Sequence, residues 1–286
     1  MKAYRQTSGD IVIFRPEVHA TRIAKSAAAV CLPPPPKDLF IECVRAAVAA
    51  NAKLVPPSSS NGALYIRPVL FGSSAQLALA PSEESILAVY VYPLLPYHGS
   101  AATDALILED FDRTAPFGTG PFKVGGNYAP VWKHAAAAKE KGYGITLHVD
   151  SATRTKIDEF STSGFLGFKS DGSEKTLIVP LAENAVQSVT SASLTRIAEL
   201  QGWIIQRDEV SHLLRATPQT KKEALIEYTE ISFHSRSHYI RFLPSKRWSR
   251  LVRWQLLFPF EASLACPRAT SSRSPVLRTR TRSKAS

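Results

Sequence analysis

Short apolar runs rich in β-branched and aromatic residues alternate with amphipathic helical stretches over the first 210 residues, and this alternation limits the folds open to the chain. Residues 11–14, IVIF, read as a short strand ending at Arg15-Pro16. His19 to Val30 carries Ala, Ile and Val on one face and reads as a helix, stopped by the proline run 33–36. Leu39 to Ala50 is a second amphipathic helix, and PPSSSN at 56–61 is a loop. LYIRPVLF and ILAVYVYPLL then read as buried strands. Beyond residue 105 the readings are LILEDF as a strand, VWKHAAAAKEKG as a helix closed by Gly142, ITLHVD, EFSTSGFLGF and TLIVPL as strands, and Ser191 to Gln201 as a helix with Gly202 just past its end. The pattern predicts an α/β fold of the α+β two-lobed kind. Its expected parts are a small lobe over 1–95, a Pro-, Gly-, Ser- and Ala-rich linker at 96–105 and a larger lobe over 106–230.

The pattern fades near Ile231. Of the 35 Lys and Arg residues, 12 lie in 231–286, against one of the 24 acids, Glu261. The 230 residues before it hold 23 of each sign, so the net charge of +11 belongs to the tail. The basic excess therefore says nothing about partners of the body. Residues 231–286 read as an atypical basic tail whose Ser-, Arg- and Thr-rich end is disordered. Such a tail can meet phosphate backbones, but its last 25 residues carry no aromatic platforms, which argues against a nucleic-acid binder. Three cysteines, Cys31, Cys43 and Cys266, are too few and too irregular for a disulfide framework or a zinc site. That places the chain in a reducing compartment, read as cytoplasmic. No apolar targeting segment opens the sequence, and a mitochondrial destination stays open. The uncharged stretch from Ser85 to Thr103 is broken by Pro93, Pro96, His98 and Gly99, so no membrane span is expected.

The densest chemical signal is GTGPFKVGGNYAP at 118–130, with glycines at 118, 120, 125 and 126 around Lys123. Glycines let a backbone approach a ligand closely. A lysine there can form a Schiff base if its surroundings favour the free amine, or be an ordinary surface lysine in a turn.

KVGGNY resembles the K-x-G-x-N-Y signature of the fold-type IV pyridoxal phosphate enzymes, and four further motifs extend the likeness. LYIRPVLFG at 64–72, EDFDRTAP at 109–116, DEFSTSGFLG at 158–167 and SVTSASL at 188–194 fall in the order and spacing of the branched-chain amino-acid aminotransferases. The resemblance covers about residues 2–210. It implies pyridoxal 5′-phosphate as cofactor, at the interface of the lobes of a homodimer's subunit. The substrates it implies are an amino acid and a 2-oxo acid: leucine, isoleucine or valine with 2-oxoglutarate, in amino-acid or secondary-metabolite precursor biosynthesis.

The resemblance also implies roles. Lys123 holds the cofactor as a Schiff base and shuttles the proton between substrate and cofactor. Glu159 pairs with the pyridine nitrogen, keeping it protonated and the ring an electron sink. Tyr128 bonds the cofactor's phenolic oxygen. Arg22 clamps the phosphate with a charge-assisted fork. Val189 and Thr190, at a helix start, offer backbone N–H groups to the same phosphate, with the Thr190 hydroxyl beside them. Tyr65 and Arg67 line the substrate side. Read singly, each residue also has a plain reading: Glu159 a strand carboxylate, Arg22 an exposed helix arginine, the Ser and Thr residues ordinary N-caps.

Three departures from the family stand out. Relatives carry several dozen residues before the segment matching Met1 to Tyr4, they carry a G-T-A-A-like turn after the position of Glu230, and many have Asn at the position of Gly164. The chain thus reads as a family member shortened at both ends. The alternatives are an inactive shortened relative, and another fold-type IV enzyme such as a D-amino-acid transaminase or an aminodeoxychorismate-lyase-like enzyme.

Overall fold

The computed structural model describes residues 1–60, 62–94, 103–171 and 174–211, together with the backbone of two short strands at 232–233 and 239–241. The described residues fall into two compact units, one within residues 1–94 and one from residue 103 onward. Most of the expected linker, and the end of the basic tail, lie outside the described residues.

The first unit is a four-stranded antiparallel sheet with two helices against it. Its strands are β1 (Lys2–Arg5), β2 (Ile11–Ile13), β3 (Ala63–Gly72) and β4 (Ser85–Leu94), in the order β2-β1-β3-β4. Helix α1 (Pro16–Ala29) begins with a proline at its first position, which needs no N–H there. Helix α2 (Lys37–Ala50) buries Phe40, Val44 and Val48, spaced by four, against Leu64 and Ile66 of β3. Fully burying such side chains contributes about 1.5–3 kcal/mol each. On β3 the alternation is clean: Leu64 and Ile66 point inward, while Tyr65 and Arg67 occupy the other face. The expectation of two buried strands is therefore corrected. β3 is buried on one face, and β4 has no fully buried residue.

The second unit contains two sheets. In the first, β5 (Asp104–Leu108) and β6 (Ile145–Val149) run parallel, joined through α3 (Val131–Glu140). β7 (Ile157–Phe160) pairs antiparallel with β6. Helix α3 ends where Gly142 takes φ +89°, and the Tyr143 N–H reaches back to the Ala138 carbonyl at 3.0 Å. The second sheet has the order β10-β9-β8, from β8 (Gly167–Asp171), β9 (Glu174–Pro180) and β10 (Ile204–Asp208). Helix α4 (Val189–Leu200) crosses between the parallel strands β9 and β10.

The fold departs from the sequence reading at three further points. EFSTSGFLGF is two strands in two sheets, because a tight turn at 161–163 redirects the chain; the Phe160 N–H bonds the Ser163 carbonyl at 2.9 Å. β1 and β10 carry too few apolar residues to stand out, and tertiary pairing makes them strands. Finally, β11 (Ser232–Phe233) and β12 (Tyr239–Arg241), from the segment set apart as a tail, extend the first sheet. β12 lies antiparallel along β5. Among the described residues, no helix is long and apolar enough to cross a membrane.

Candidate active site

The glycine-rich loop is held by its own polar side chains. Asn127 Nδ2 donates to the Thr119 carbonyl at 2.6 Å and the Phe122 carbonyl at 2.9 Å, and Thr119 Oγ1 donates to Asn127 Oδ1 at 2.6 Å. Those bonds close the loop on either side of Lys123. Gly120 sets its depth: a Cβ there would lie 2.4 Å from the Asn184 carbonyl oxygen and 2.9 Å from Thr114 Cα. Only glycine allows that approach.

Within this frame Lys123 Nζ donates to the Tyr128 hydroxyl at 2.6 Å and lies 4.3 Å from that ring's centroid. The Arg113 guanidinium carbon is 4.8 Å from the same centroid. Arg113 Nη2 meets Glu159 Oε1 at 3.0 Å, in a pair almost wholly buried. The approach is an ion pair rather than an aligned hydrogen bond, since among the described residues Oε1 has no hydrogen-bond partner and Arg113 Nε and Nη1 have none either. Burial pushes the Glu159 carboxyl up to about 7, against the downward pull of Arg113, Lys123 and the Val186 N–H. Near neutrality it therefore stands close to half-protonated, and a cationic N–H donor placed on it would draw it to the charged form. Its neighbour Asp158 is also buried, accepts a hydrogen bond from Thr114, and is raised by burial.

The start of α4 belongs to the same unit. Ser188 caps it, its Oγ accepting from the Ser191 N–H at 3.1 Å. Val189 is buried and Thr190 exposed. Gly164 bridges to Glu159, and a Cβ there would lie 3.1 Å from Ser191 Oγ and 3.3 Å from Ser188 Cβ, a tight contact.

Lys123, Tyr128 and Glu159 are thus brought together, with Val189 and Thr190 on a neighbouring helix start. Arg22, Tyr65 and Arg67 belong to the first unit. Arg22 Nη2 is 3.0 Å from His19 Nδ1 on α1. Tyr65 stacks on Tyr92, centroids 5.3 Å apart, and the Arg67 guanidinium lies 5.2 Å from the Tyr65 centroid. Arg113, within EDFDRTAP, and His148, within ITLHVD, are brought to this site by the fold, and no sequence motif gives either a role. The signal that could have found them was a charged or titratable residue inside an otherwise apolar strand or beside one.

The family model for class IV amino-transferases matches residues 1–213. The chain is 52% identical over 206 residues to an aminotransferase of Penicillium oxalicum, a match covering 72% of this chain and 56% of that protein. It is 44% identical over 216 residues to a branched-chain amino acid aminotransferase of Glarea lozoyensis (74% and 60%) and 43% identical over 265 residues to a transaminase of Alternaria alternata (85% and 71%). The fold is that of the Thermobaculum terrenum branched-chain amino acid aminotransferase solved in its PLP (holo) form: TM-score 0.58, 20% identity, 73% of this chain and 66% of that one. The chain belongs to the class IV aminotransferases. Enzymes of this fold type use pyridoxal 5′-phosphate.

The chain spans little more than half the length of the Penicillium relative. A match over 85% of the chain cannot fit within residues 1–230, so the likeness enters the basic segment. The likeness therefore runs farther than the residues 2–210 over which the motifs carry it.

Proposed function

We propose that this chain is a branched-chain amino-acid transaminase. It would exchange an amino group between leucine, isoleucine or valine and 2-oxoglutarate, with pyridoxal 5′-phosphate as cofactor, to supply amino-acid or secondary-metabolite precursors. One observation carries the reading: an amine and a guanidinium, both set against the Tyr128 ring, act on a buried carboxyl whose pKa stands near 7. The donor set fits the cofactor. Glu159 Oε1 is a dry acceptor lacking an aligned donor among the described residues, and the backbone at Gly125 and Gly126 opens onto free space.

Bound pyridoxal phosphate supplies an electron sink for the pair left when the substrate Cα loses its proton. Lys123 Nζ is the amine that holds the cofactor and the base that takes and returns that proton. Glu159 keeps the pyridine nitrogen protonated, and Arg113 keeps Glu159 in place. The Tyr128 hydroxyl, already bonded to Lys123, serves the phenolic oxygen. The N–H groups of Val189 and Thr190 at the start of α4 take the phosphate, a role that the sequence resemblance also gives Arg22. Tyr65 and the Arg67 beside it take the substrate carboxylate. The name of the Glarea relative supports the branched-chain preference. The same reading makes the protein a cytoplasmic homodimer, acting without membrane or nucleic acid.

The test is spectroscopic. With pyridoxal phosphate added, the protein should show a visible absorbance band that L-leucine shifts and borohydride abolishes. Lys123→Ala should lose the band while keeping the fold by circular dichroism. A band that survives in Lys123→Ala removes that lysine from the site.

A further inference from the structure

His148 has no part in the roles assigned above. It sits on β6, fully buried, and its Cα is the register partner of Glu159 on β7. Directly opposed residues of an antiparallel pair project to the same side of the sheet. Thr146 and Ser161 share that side by alternation, so one face of this strand pair carries four buried polar groups. His148 Nε2 is 3.3 Å from Thr146 Oγ1. The nearby Arg113 cation favours the tautomer with the proton on Nε2, donated to that hydroxyl, which leaves Nδ1 as an acceptor, buried and without a hydrogen-bond partner among the described residues.

Glu159 opposes the ring from β7, Arg113 reaches Glu159 from the segment after β5, and His134 approaches from α3, with the Phe111 ring 4.4 Å from the His134 centroid and 5.9 Å from that of His148. Burial, then Arg113 and His134, push the imidazole pKa down to about 3. The ring is therefore a neutral acceptor throughout the working range. Arg113 offers the complement: Nη2 is on Glu159, while Nε and Nη1 are buried donors without partners among the described residues. An acceptor lacking a donor and two donors lacking an acceptor flank one carboxyl. Leaving such groups unmatched is costly, because each gives up its hydration with no hydrogen bond in return.

We propose that His148 is a positioning residue: its Nδ1 orients the Arg113 guanidinium through one bridging water, so that Nη2 stays on Glu159 and the carboxylate stays aimed at the cofactor nitrogen. The role in catalysis rests on the function proposed above. The effect on Glu159 is a property of the chain alone and is measured without cofactor.

The experiment titrates the Glu159 carboxyl by carbon-13 NMR in the full chain without added cofactor, the resonance being identified by its loss in Glu159→Gln. His148→Leu removes the acceptor, and His148→Asn keeps one near the Nδ1 position. With Arg113 no longer oriented, Glu159 in His148→Leu should titrate about one pH unit higher than in the wild type, a tenfold change in its proton affinity. In His148→Asn it should stay within a few tenths of a pH unit of the wild type. Should His148→Leu fail to fold, His148→Gln carries its acceptor one atom farther out and should show the same upward displacement. An unchanged Glu159 titration without the acceptor overturns the proposal. So does an equal displacement in His148→Asn, which would mean that only packing matters. Failure of the cofactor reading would show instead as a missing visible band, leaving the titration as it is.

Discussion

At the scale of single residues, the site turns on two buried groups with opposite pH linkage. Glu159 is raised in the fold, to about 7 from the ordinary 4.5. Its contribution to stability is therefore present below the ordinary value and lost as pH climbs through 7. His148 is lowered to about 3 from 6.5, so its contribution is present above 6.5 and lost as pH falls toward 3. Between about pH 4.5 and 6.5 the two slopes oppose each other, a tenfold change in proton affinity being worth about 1.4 kcal/mol. Without cofactor, the stability of the wild type relative to Glu159→Gln should fall from pH 4.5 to 7. Relative to His148→Asn it should rise from pH 4 to 6.5. Denaturant melts across that range check both signs, and parallel curves for either variant would mean that its group titrates as in the unfolded chain. In the loaded protein, Glu159→Gln should keep the cofactor but slow proton abstraction from L-leucine by orders of magnitude, since a neutral amide cannot hold the pyridine nitrogen protonated. A stopped-flow half-reaction at the wild-type rate would take Glu159 out of the chemistry.

At the scale of elements, loop depth matters more than loop flexibility. The Asn127 bonds staple the 119–128 segment, and Gly120 lies where a methyl group would strike the Asn184 carbonyl and the Thr114 backbone. Gly120→Ala should therefore cost about 1–3 kcal/mol through forced backbone shifts. Because Thr114 adjoins Arg113, it should also disturb the Arg113–Glu159 pair and weaken cofactor binding. A melt together with a pyridoxal phosphate titration reads both, and a wild-type result in each would show that the loop rides over the added methyl without consequence. Gly125→Ala, with open space at its Cβ, is the natural control.

At the scale of the molecule, the segment from Ile231 is where charge pattern and strand pairing disagree. Composition sets it apart, yet Tyr239–Arg241 pairs along β5, whose Ala105 and Ile107 belong to the core of the second unit. A chain ending at Glu230 should therefore melt at a lower temperature than the full chain, because β5 loses its outer neighbour and becomes an open edge. Equal melting temperatures would instead make the whole segment dispensable, as its composition suggests.

Much of this was legible in the chain. Periodicity located α1 to α4 and the strands with dense apolar runs, and helix stops such as Gly142 were marked by residue type, because these depend on neighbours three or four positions away. KVGGNY singled out Lys123, and collinear motifs named Glu159 and Tyr128, since a reacting group must be of a particular chemical kind. Only the tertiary structure decided that β1, β10 and β12 are strands, that EFSTSGFLGF turns from one sheet to another, and that His148 faces Glu159 across a ladder while Arg113 reaches it from a distant loop. Pairing between segments far apart in sequence leaves little trace in either segment alone. A carboxyl's pKa of about 7 likewise depends on water excluded by side chains dozens of residues away.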